Sequence, residues 1–545
     1  MCSSKSLAWP LLILLGVVLT GCDEKARETG TQSPEQALTA VTTPQVLVGD
    51  TRIIGTRDAS GTARFLGIPF AEPPVGKARW LRPVPHRFTA PSLDATQFAP
   101  ACMQSGSGLD WYHGMMARVG VDPALMEGPK YSEDCLYLNV WTDLDDAALA
   151  LSDSAHRQQV GQKPDQQPLR PVLIFIHGGS NVGGWSYEPN YHGGPLARKG
   201  VIVVTVAYRL GVFGWMNHPE MATSNLALHD LSLALDWVNT HIAEFGGDPE
   251  RITVSGESAG AANALHLALS PLSGTKISGV IHQSGGWPVV GGPTPAEAKA
   301  RALELQQTLL GPKGSLEGLR GVPVQKIIDV TGDIYAGMRF GAIQDAESFP
   351  RTLQQQVMDG DLPPLNIIIG TNANESLLYI KPEASVASYL EGRVPAQRWP
   401  EVLAAAGDDL DELATFDRLG TAVTFLCPSL TLANAVSAAG GRAFVYRFDR
   451  VRPGFDSIGA YHGAELPYVF DRHDSWLPTE PVDRTLTRLM LDYWQGFISQ
   501  GDPGGSELMA WPPWQPGDYQ AVIFSEESSV MPHPDVEFCS VFLDT

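Results

Sequence analysis

The feature that most constrains the fold is a serine framed by two glycines, between a short apolar run and an alanine-rich segment. Residues 252–254 are a β-branched run that predicts a buried strand, and an Ala-rich helical pattern follows Gly260. The pentapeptide at 256–260 (GESAG) fits the G-x-S-x-G turn, whose glycines let strand and helix approach while the hydroxyl of Ser258 is presented. Such a pentapeptide is expected by chance roughly once in three chains of this length. The surrounding sequence must therefore support the interpretation.

Further segments alternate between strand and helix patterns. Residues 171–176 and 201–206 are unbroken apolar runs, typical of strands covered by helices on both faces. A helix is predicted over 231–245, ended by the Gly-Gly-Asp-Pro sequence at 246–249. Other predicted elements are short strands at 46–48, 52–54, 63–66, 280–281, 367–369 and 443–448, an alternating strand within 132–140, a polar surface excursion at 143–170 and a helix at 486–498. This order predicts an α/β fold with right-handed crossovers, and residues 46–545 are expected to form one large domain.

The amino-terminal segment has the features of a targeting peptide. Lys5 supplies a positive region, residues 11–19 are apolar, and the sequence at 19–22 (LTGC) resembles a bacterial lipobox. This predicts a lipoprotein signal peptide over residues 1–21 and a lipid-modified Cys22. The alternative is a plain secretory signal with an incidental cysteine. Residues 22–45 are polar without a hydrophobic period, which predicts a disordered tether. The chain is thus expected outside the cytoplasm, anchored to a bacterial cell-envelope membrane and on the periplasmic side in a Gram-negative cell.

Charge and cysteine content narrow the classes of function. The net charge of −22 would repel a phosphate backbone and argues against nucleic-acid binding. Cys2 lies in the removed peptide and Cys22 is the anchor, which leaves Cys102, Cys135, Cys427 and Cys539. Disulfides persist outside the cytoplasm, and four cysteines allow three connectivities; four buried free thiols are the less favoured alternative. No metal or cofactor is expected, because the sequence has no H-E-x-x-H, Walker or dinucleotide pattern.

A serine hydroxyl becomes a nucleophile only when a base takes its proton and an acid orients that base. In proteins with this turn the acid and then the histidine follow the serine along the chain. Glu375, on the loop that leaves the apolar strand at 367–369, is the candidate acid. Beyond it the histidines are His462, His473 and His533. His462 is favoured because its small neighbours would let it approach a substrate, and a surface-loop histidine is the alternative.

A carbonyl attacked by serine develops a negative oxygen that needs N–H donors. The amide of Ala259 in the turn is one candidate. A second source is the glycine turn at 176–180, where glycine would let backbone amides point into a pocket. By itself that turn is equally well explained as an ordinary loop.

These pieces resemble the type-B carboxylesterase/cholinesterase-like family of the α/β-hydrolase fold, from about Gln45 to the C-terminus. The most specific matching stretches are residues 133–140 (EDCLYLNV) and the FGGDP sequence at 245–249 that leads into the serine turn. The remaining matches are residues 65–76 (FLGIPFAEPPVG), 177–179 (HGG), 208–211 (YRLG), 256–260 (GESAG), 283–285 (QSG) and 462–463 (HG). The resemblance implies an α/β-hydrolase fold with a mostly parallel central sheet flanked by helices.

The same resemblance implies roles for individual residues. Ser258 would be the nucleophile, Glu375 the acid and His462 the base. The N–H groups of Gly179, Ser180 and Ala259 would form the oxyanion hole, with Ser180 in place of a frequent third glycine. The disulfides implied are Cys102–Cys135 and Cys427–Cys539, Glu257 and Ser284 would support the triad, and Arg79–Glu133 and Arg209–Asp230 would be structural ion pairs.

The expected activity is hydrolysis of small, fairly apolar carboxylic esters through an acyl-enzyme, with no metal. A triacylglycerol lipase and an esterase for aryl or antibiotic esters are alternatives. Acetylcholine is disfavoured because Trp111 does not fall at the spacing of the cholinesterase cation-site tryptophan, and Trp111 and Tyr112 are expected to line a cavity or pack the loop. Two alternatives from other classes are a non-catalytic adhesion protein, against which the complete triad argues, and a protein that traps one acyl group without turnover.

Overall fold

The fold is built around a long, mostly parallel β-sheet. The structure is a computed structural model that describes residues 43–145, 168–274, 276–381, 383–407 and 410–543. The predicted signal peptide, Cys22, nearly all of the tether and most of the polar segment at 143–170 lie outside the described residues. The strands of the main sheet are β3 (Thr56–Arg57), β4 (Ala63–Pro69), β8 (Tyr137–Thr142), β9 (Arg170–Ile176), β10 (Ile202–Val206), β11 (Gly247–Glu257), β12 (Gly279–Gln283), β13 (Asn366–Asn372), β14 (Arg442–Phe448), β15 (Gln520–Phe524) and β16 (Ser529–Pro532).

Within the described residues the order across this sheet is β16-β15-β14-β13-β12-β11-β9-β10-β8-β4-β3. The strands from β15 to β10 pair in parallel, whereas β8, β4, β3 and β16 pair antiparallel at the two ends. A smaller sheet holds β1 (Gln45–Val48), β2 (Thr51–Ile54) and β5 (Ser92–Asp94), and β6 (Ala101–Cys102) pairs with β7 (Tyr131–Ser132). The carboxyl ends of the parallel strands meet at one edge, where open α/β sheets bind ligands.

Helices cover both faces of the sheet because alternate side chains of each central strand point to opposite sides. In β9, Val172, Ile174 and Ile176 join one buried cluster, and Leu173 and Phe175 join another. The helices are α1 (Ser107–Arg118), α2 (Gly194–Arg198), α3 (Gly211–Trp215), α4 (Leu226–His241), α5 (Ala259–Leu269), α6 (Pro295–Leu310), α7 (Leu316–Arg320), α8 (Val324–Ile334), α9 (Leu353–Met358), α10 (Val386–Leu390), α11 (Trp399–Ala406), α12 (Glu412–Thr421), α13 (Cys427–Ala438), α14 (Leu466–Val469), α15 (Pro481–Gln500) and α16 (Val536–Leu543). The first cluster contains apolar residues of α4 and α5, and the second those of α15.

The sequence predicted most central elements but missed some details. The strand predicted as alternating, β8, is buried on both faces from Leu138 to Thr142, because it lies inside the sheet between β10 and β4. The helix after the serine turn begins at Ala259 rather than beyond Gly260, and β1 begins at Gln45, one residue before the predicted domain. Strands β15 and β16 were not predicted at all. Their short runs have no periodic signal; β15 is defined by its pairing with β14, and β16 by its pairing with β15.

One continuous helical stretch, Glu412–Ala438, has the length and hydropathy of a membrane span, but 72% of its most apolar window is buried inside the protein. It comprises α12, a π-helical turn at Ala422–Leu426 and α13. Within it, Cys427 is disulfide-bonded to Cys539 on α16. We therefore regard it as a core helix of the fold.

Covalent and ionic links brace the polypeptide around the sheet. The disulfide Cys102–Cys135 is present, so both pairings that the sequence implied are found. Arg79 Nε lies 2.5 Å from Glu133 Oε1, and a second hydrogen bond makes this pair bidentate. Arg209 and Asp230 form a second bidentate pair, and Asp230 is fully buried.

Candidate active site

Ser258 occupies a strained turn between β11 and α5. Its backbone has φ 57° and ψ −128°, a conformation that non-glycine residues rarely adopt. The turn is possible because the flanking glycines lack a Cβ: one on Gly256 would lie 2.3 Å from the carbonyl carbon of Gly260, and one on Gly260 would lie 2.0 Å from the carbonyl oxygen of Ile176. The serine is thereby held at the carboxyl end of β11, where its side chain lines a cavity.

Glu375 follows β13, the second strand beyond β11, and its carboxylate is fully buried and fully oriented. Oε1 accepts hydrogen bonds from the Ser284 hydroxyl at 2.6 Å and from the Asn372 amide at 2.7 Å. Oε2 lies 2.6 Å from Nδ1 of His462. Three donors therefore fix the carboxylate so that one oxygen is directed at the imidazole.

His462 lies on the loop that leaves β14, the strand next to β13 in the sheet, and leads to α14. Its Nε2 is 3.1 Å from Oε1 of Glu257, which is within ion-pair distance. The geometry is not that of a hydrogen bond, because Oε1 of Glu257 has no hydrogen-bond partner among the described residues. In the same residues no hydrogen bond joins His462 to Ser258. Catalytic serine–histidine bonds are often long before substrate binds.

The electrostatics of this cluster raise the basicity of His462. Burial opposes the charged imidazolium, but the negative charges of Glu257 and Glu375 and the hydrogen bond to Glu375 prevail and raise the pKa of His462 to about 9. Burial also raises the pKa of Glu257, to about 8, against the opposing effect of His462. The two upward pKa shifts oppose each other, because a protonated, neutral Glu257 no longer attracts the imidazolium of His462. The upward direction for His462 rests most firmly on Glu375, which is hydrogen-bonded to it.

The candidate oxyanion donors surround Ser258. The register places Ile176 of β9 opposite Gly256 of β11, so the glycine turn after β9 lies beside the serine. A Cβ on Gly178 would lie 3.2 Å from Cβ of Ser258. Gly179 (φ 95°) and Ser180 (φ 55°) both have left-handed backbones and line the cavity with Ala259. In the described part of the chain the amides of Gly179 and Ser180 have no hydrogen-bond acceptor, so both are free for a ligand oxygen.

A buried polar network behind the triad was not predicted as part of the site. Glu465, three residues after His462, accepts hydrogen bonds from Gln283 Nε2 at 2.9 Å and Asn372 Nδ2 at 2.6 Å. Burial raises the pKa of Glu465, and its charge also favours the protonated form of His462. The only sequence signal for it is an acidic residue close to a loop histidine, which many surface loops share.

The cavity in front of Ser258 has a volume of about 780 Å³, within the range of sites for small organic ligands. Trp111 and Tyr112 line it, as the sequence suggested, and the Tyr112 hydroxyl donates to Glu188 at 2.9 Å. The Phe425 ring lies 4.9 Å from the His462 ring and 6.0 Å from that of Trp287. Phe425 is in the π-helical turn between α12 and α13, an irregularity that sequence patterns do not reveal.

The structure therefore brings together all the candidate site residues that the sequence predicted at the triad. Ser284 contacts Glu375, and Glu257 contacts His462. The other late histidines lie elsewhere: His473 bonds to Arg452 and Thr487, and the side chain of His533 is buried against Trp514. Among the described residues no group of three His, Cys, Asp or Glu side chains is placed to hold a metal ion.

Comparisons with known proteins identify the family to which this chain is similar. The model of the carboxylesterase family matches residues 39–394 and 398–541. The para-nitrobenzyl esterase of Bacillus subtilis is 28% identical over 514 residues, which cover 89% of this chain and 96% of that protein. The acetylcholinesterase of Bungarus fasciatus is 31% identical over 507 residues, which cover 84% and 78% of the two chains. The crystal structure of a Geobacillus stearothermophilus carboxylesterase superposes with a TM-score of 0.75 at 28% identity, over 91% of this chain and 99% of that one.

Proposed function

The chain belongs to the carboxylesterase family, and from that premise we propose that Ser258, His462 and Glu375 are the catalytic triad of a serine esterase with the α/β-hydrolase fold. The observation that most supports this assignment is the contact between Glu375 Oε2 and His462 Nδ1, 2.6 Å apart, at the edge of the cavity that Ser258 lines. The acid, the base and the serine follow three strands of one sheet and meet at its carboxyl edge.

In the proposed reaction, the Ser258 hydroxyl attacks the ester carbonyl carbon while Nε2 of His462 takes the hydroxyl proton. The negative oxygen of the tetrahedral intermediate accepts hydrogen bonds from the amides of Gly179, Ser180 and Ala259. His462 then gives its proton to the departing alcohol, which leaves an acyl-enzyme on Ser258. Water, activated by the same imidazole, attacks this ester and releases the acid.

Glu375 and its donors supply orientation rather than direct contact with the substrate. A carboxylate on Nδ1 keeps the proton on that nitrogen, so that Nε2 is the free base that faces the serine. Ser284 and the Asn372 amide hold the carboxylate in place. We assign Ser284 to positioning of Glu375, and Glu257 to stabilisation of the imidazolium that forms during the reaction.

The shape of the cavity favours small to medium esters with an apolar portion. Phe425, Trp287 and Tyr379 line it close to the triad, and Tyr379 lies 5.9 Å from the His462 ring. The similarity to a para-nitrobenzyl esterase supports the expectation that esters of benzylic alcohols are also accepted. Trp111 lines the same cavity, but its ring is 6.2 Å from Tyr461 and 4.9 Å from Tyr112, as expected of a packed wall residue.

Steady-state hydrolysis of p-nitrophenyl esters of increasing acyl length tests this proposal, with the wild type and Ser258→Ala measured side by side. Turnover by the wild type that the variant lacks is the expected result, and the acyl length of highest kcat/KM sizes the cavity. Equal rates in both proteins would overturn the proposal. A stoichiometric burst followed by no further release would instead indicate an acyl-trapping protein.

The proposed location of the enzyme is outside the cytoplasm, anchored through a lipid on Cys22. The lipobox-like sequence at 19–22 motivates this assignment, and two disulfides are consistent with an oxidising compartment. Cell fractionation tests it: the wild type should remain with membranes after a high-salt wash, and Cys22→Ala should be released. Release of the wild type by the wash would contradict the anchor.

A further inference from the structure

Arg339 is an arginine in the wall of the cavity that the ester reaction does not use. It lies between α8 and α9, and its guanidinium carbon is 5.8 Å from the centre of the Trp287 ring. Trp287 is itself 6.0 Å from Phe425, whose ring is 4.9 Å from that of His462. Successive ring contacts thus connect the catalytic histidine to a positive charge along one wall.

The charge of Arg339 is not neutralised by the protein. The chain has 60 acidic and 38 basic residues, and arginines such as Arg82, Arg351 and Arg450 form ion pairs. No carboxylate of the described residues forms an ion pair with Arg339. Other arginines, such as Arg118 and Arg170, also form no ion pair within the described part of the chain, but Arg339 differs from them because it lines the cavity.

The surroundings of Arg339 strengthen its attraction for an anion. Burial lowers its pKa, and the positive charge of Arg393 adds to that effect. The side chain of Arg339 is exposed to solvent, so the desolvation is partial. Arg393 lies 4.7 Å over the Tyr389 ring and, like Arg339, has no ion-pair partner among the described residues. Two arginines therefore share one region of positive potential.

Acidic groups also line the cavity and limit where an anion can be placed. Asp329 and Asp333 of α8 and Glu188 are part of the lining. Glu188 is already occupied by hydrogen bonds from the Tyr112 hydroxyl and the Trp185 amide. Arg339 is the one arginine or lysine among the described residues that line the cavity, so the favourable position for a substrate carboxylate is beside it. The distance from the triad to Arg339 therefore restricts how far the carboxylate can lie from the ester bond of the substrate.

We propose that Arg339 is a specificity-determining residue that binds a carboxylate of the substrate, so that the enzyme prefers esters with an acid group separated from the ester by an apolar spacer. Guanidinium and carboxylate form paired hydrogen bonds, and the face of Trp287 holds the guanidinium plane in position. This inference rests on the proposed esterase function and defines its substrate class. The carboxylate belongs to the acyl part or to the alcohol part of the ester, and the two series of substrates below distinguish these positions.

Two series of substrates test the proposal. The first is the p-nitrophenyl monoesters of dicarboxylic acids from succinic to suberic, each compared with the neutral p-nitrophenyl ester of the corresponding monoamide. The second is phenyl acetates with an ω-carboxyalkyl group on the phenol, each compared with its primary amide. The quantity measured is the ratio of kcat/KM for the acid to kcat/KM for its amide, in the wild type and in Arg339→Met.

We expect the wild type to favour the acid at one spacer length in one of the two series, which identifies the part of the ester that bears it. In Arg339→Met this ratio should fall ten- to hundredfold, the effect of losing a charge-assisted bond of about 1.5–3 kcal/mol, while the neutral amides keep their kcat/KM. Arg339→Lys, which keeps the charge but not the paired geometry, should give an intermediate ratio. Arg488→Met removes an equal charge from the exposed face of α15 and should leave the ratio unchanged.

The proposal is overturned if the ratio is the same in the wild type and in Arg339→Met in both series. It is also overturned if Arg339→Met lowers kcat/KM by the same factor for the acids and for their amides, because that outcome means that Arg339 acts on the shape of the cavity. An equal fall in Arg488→Met would mean a general field effect. If the wild type hydrolyses the ester bond of the neutral amide-bearing substrates and Ser258→Ala does not, the esterase function stands even where the carboxylate preference fails.

Discussion

Nε2 of His462 lies 3.1 Å from Oε1 of Glu257, the residue immediately before the candidate nucleophile Ser258. This is the nitrogen that must accept the serine proton, and Nδ1 of the same ring contacts Glu375 at 2.6 Å. The imidazole is thus held between two buried carboxylates, which favour its charged form. Such an arrangement stabilises the imidazolium that forms when His462 takes the serine proton.

Glu257→Gln should shift the pH dependence of activity. In the wild type, kcat/KM should rise with pH through an apparent pKa above the ordinary histidine value of about 6.5, because the pKa of His462 is raised to about 9. Loss of the Glu257 charge destabilises the imidazolium, so the rising limb should move to lower pH by about one unit or more. The measurement is kcat/KM against pH for both proteins. A limb at the same pH in both would contradict this role of Glu257.

Ser284→Ala should lower kcat and leave KM nearly unchanged. Ser284 donates to Glu375 at 2.6 Å and is not part of the cavity lining, so its loss should misorient the acid without removing a substrate contact. A hydrogen bond to a charged group is worth about 1.5–3 kcal/mol, which corresponds to a ten- to hundredfold decrease in kcat. Ser278→Ala, which removes an exposed hydroxyl, is the control and should retain wild-type kinetics. A rise in KM alone would argue against the positioning role.

Gly260→Ala should destabilise the protein by about 3 kcal/mol or more. The added methyl group would meet the carbonyl oxygens of Ile176 and His177 at 2.0 and 2.7 Å, and these backbone atoms cannot move without separating β9 from β11. Gly114→Ala is a matched control, because its methyl group meets nothing within 4 Å in helix α1 and should stabilise by about 0.5–1 kcal/mol. Urea unfolding measures both. Equal effects of the two substitutions would refute the close-contact explanation.

His266→Leu should reduce the sensitivity of the fold to acid. Burial and the nearby His282 lower the pKa of His266 to about 4, whereas an unfolded histidine titrates near 6.5. The unfolded chain therefore binds the proton first, and stability is lost as the pH falls from about 6.5 towards 4. At pH 5 this single group should account for about 2 kcal/mol of that loss. The measurement is the change in unfolding free energy between pH 7 and pH 5 within each protein, so that any packing defect of the variant cancels. The same change in His266→Leu as in the wild type would contradict the assignment.

The sequence predicted the strands and the glycine turn at the carboxyl edge of the sheet because their signals are local. Unbroken apolar runs indicated β9, β10 and β13, and the glycines at 256 and 260 indicated a turn that only residues without Cβ permit. The chain order of Ser258, Glu375 and His462 was informative because proteins with this turn share the order serine, acid, histidine. No comparably specific signal exists for Glu465, Phe425 or Arg339. Their positions depend on how segments distant in sequence pack around the cavity.

The most direct test of the central assignment is identification of the residue that carries the acyl group. The protein would be mixed with p-nitrophenyl butyrate, quenched in acid within the first turnover and analysed by peptide mass spectrometry, alongside His462→Ala and Ser258→Ala. A butyryl group on the peptide that contains Ser258 in the wild type, and none in Ser258→Ala, is the predicted result. Acylation of another residue, or turnover without any acyl-enzyme while Ser258→Ala remains active, would contradict the account.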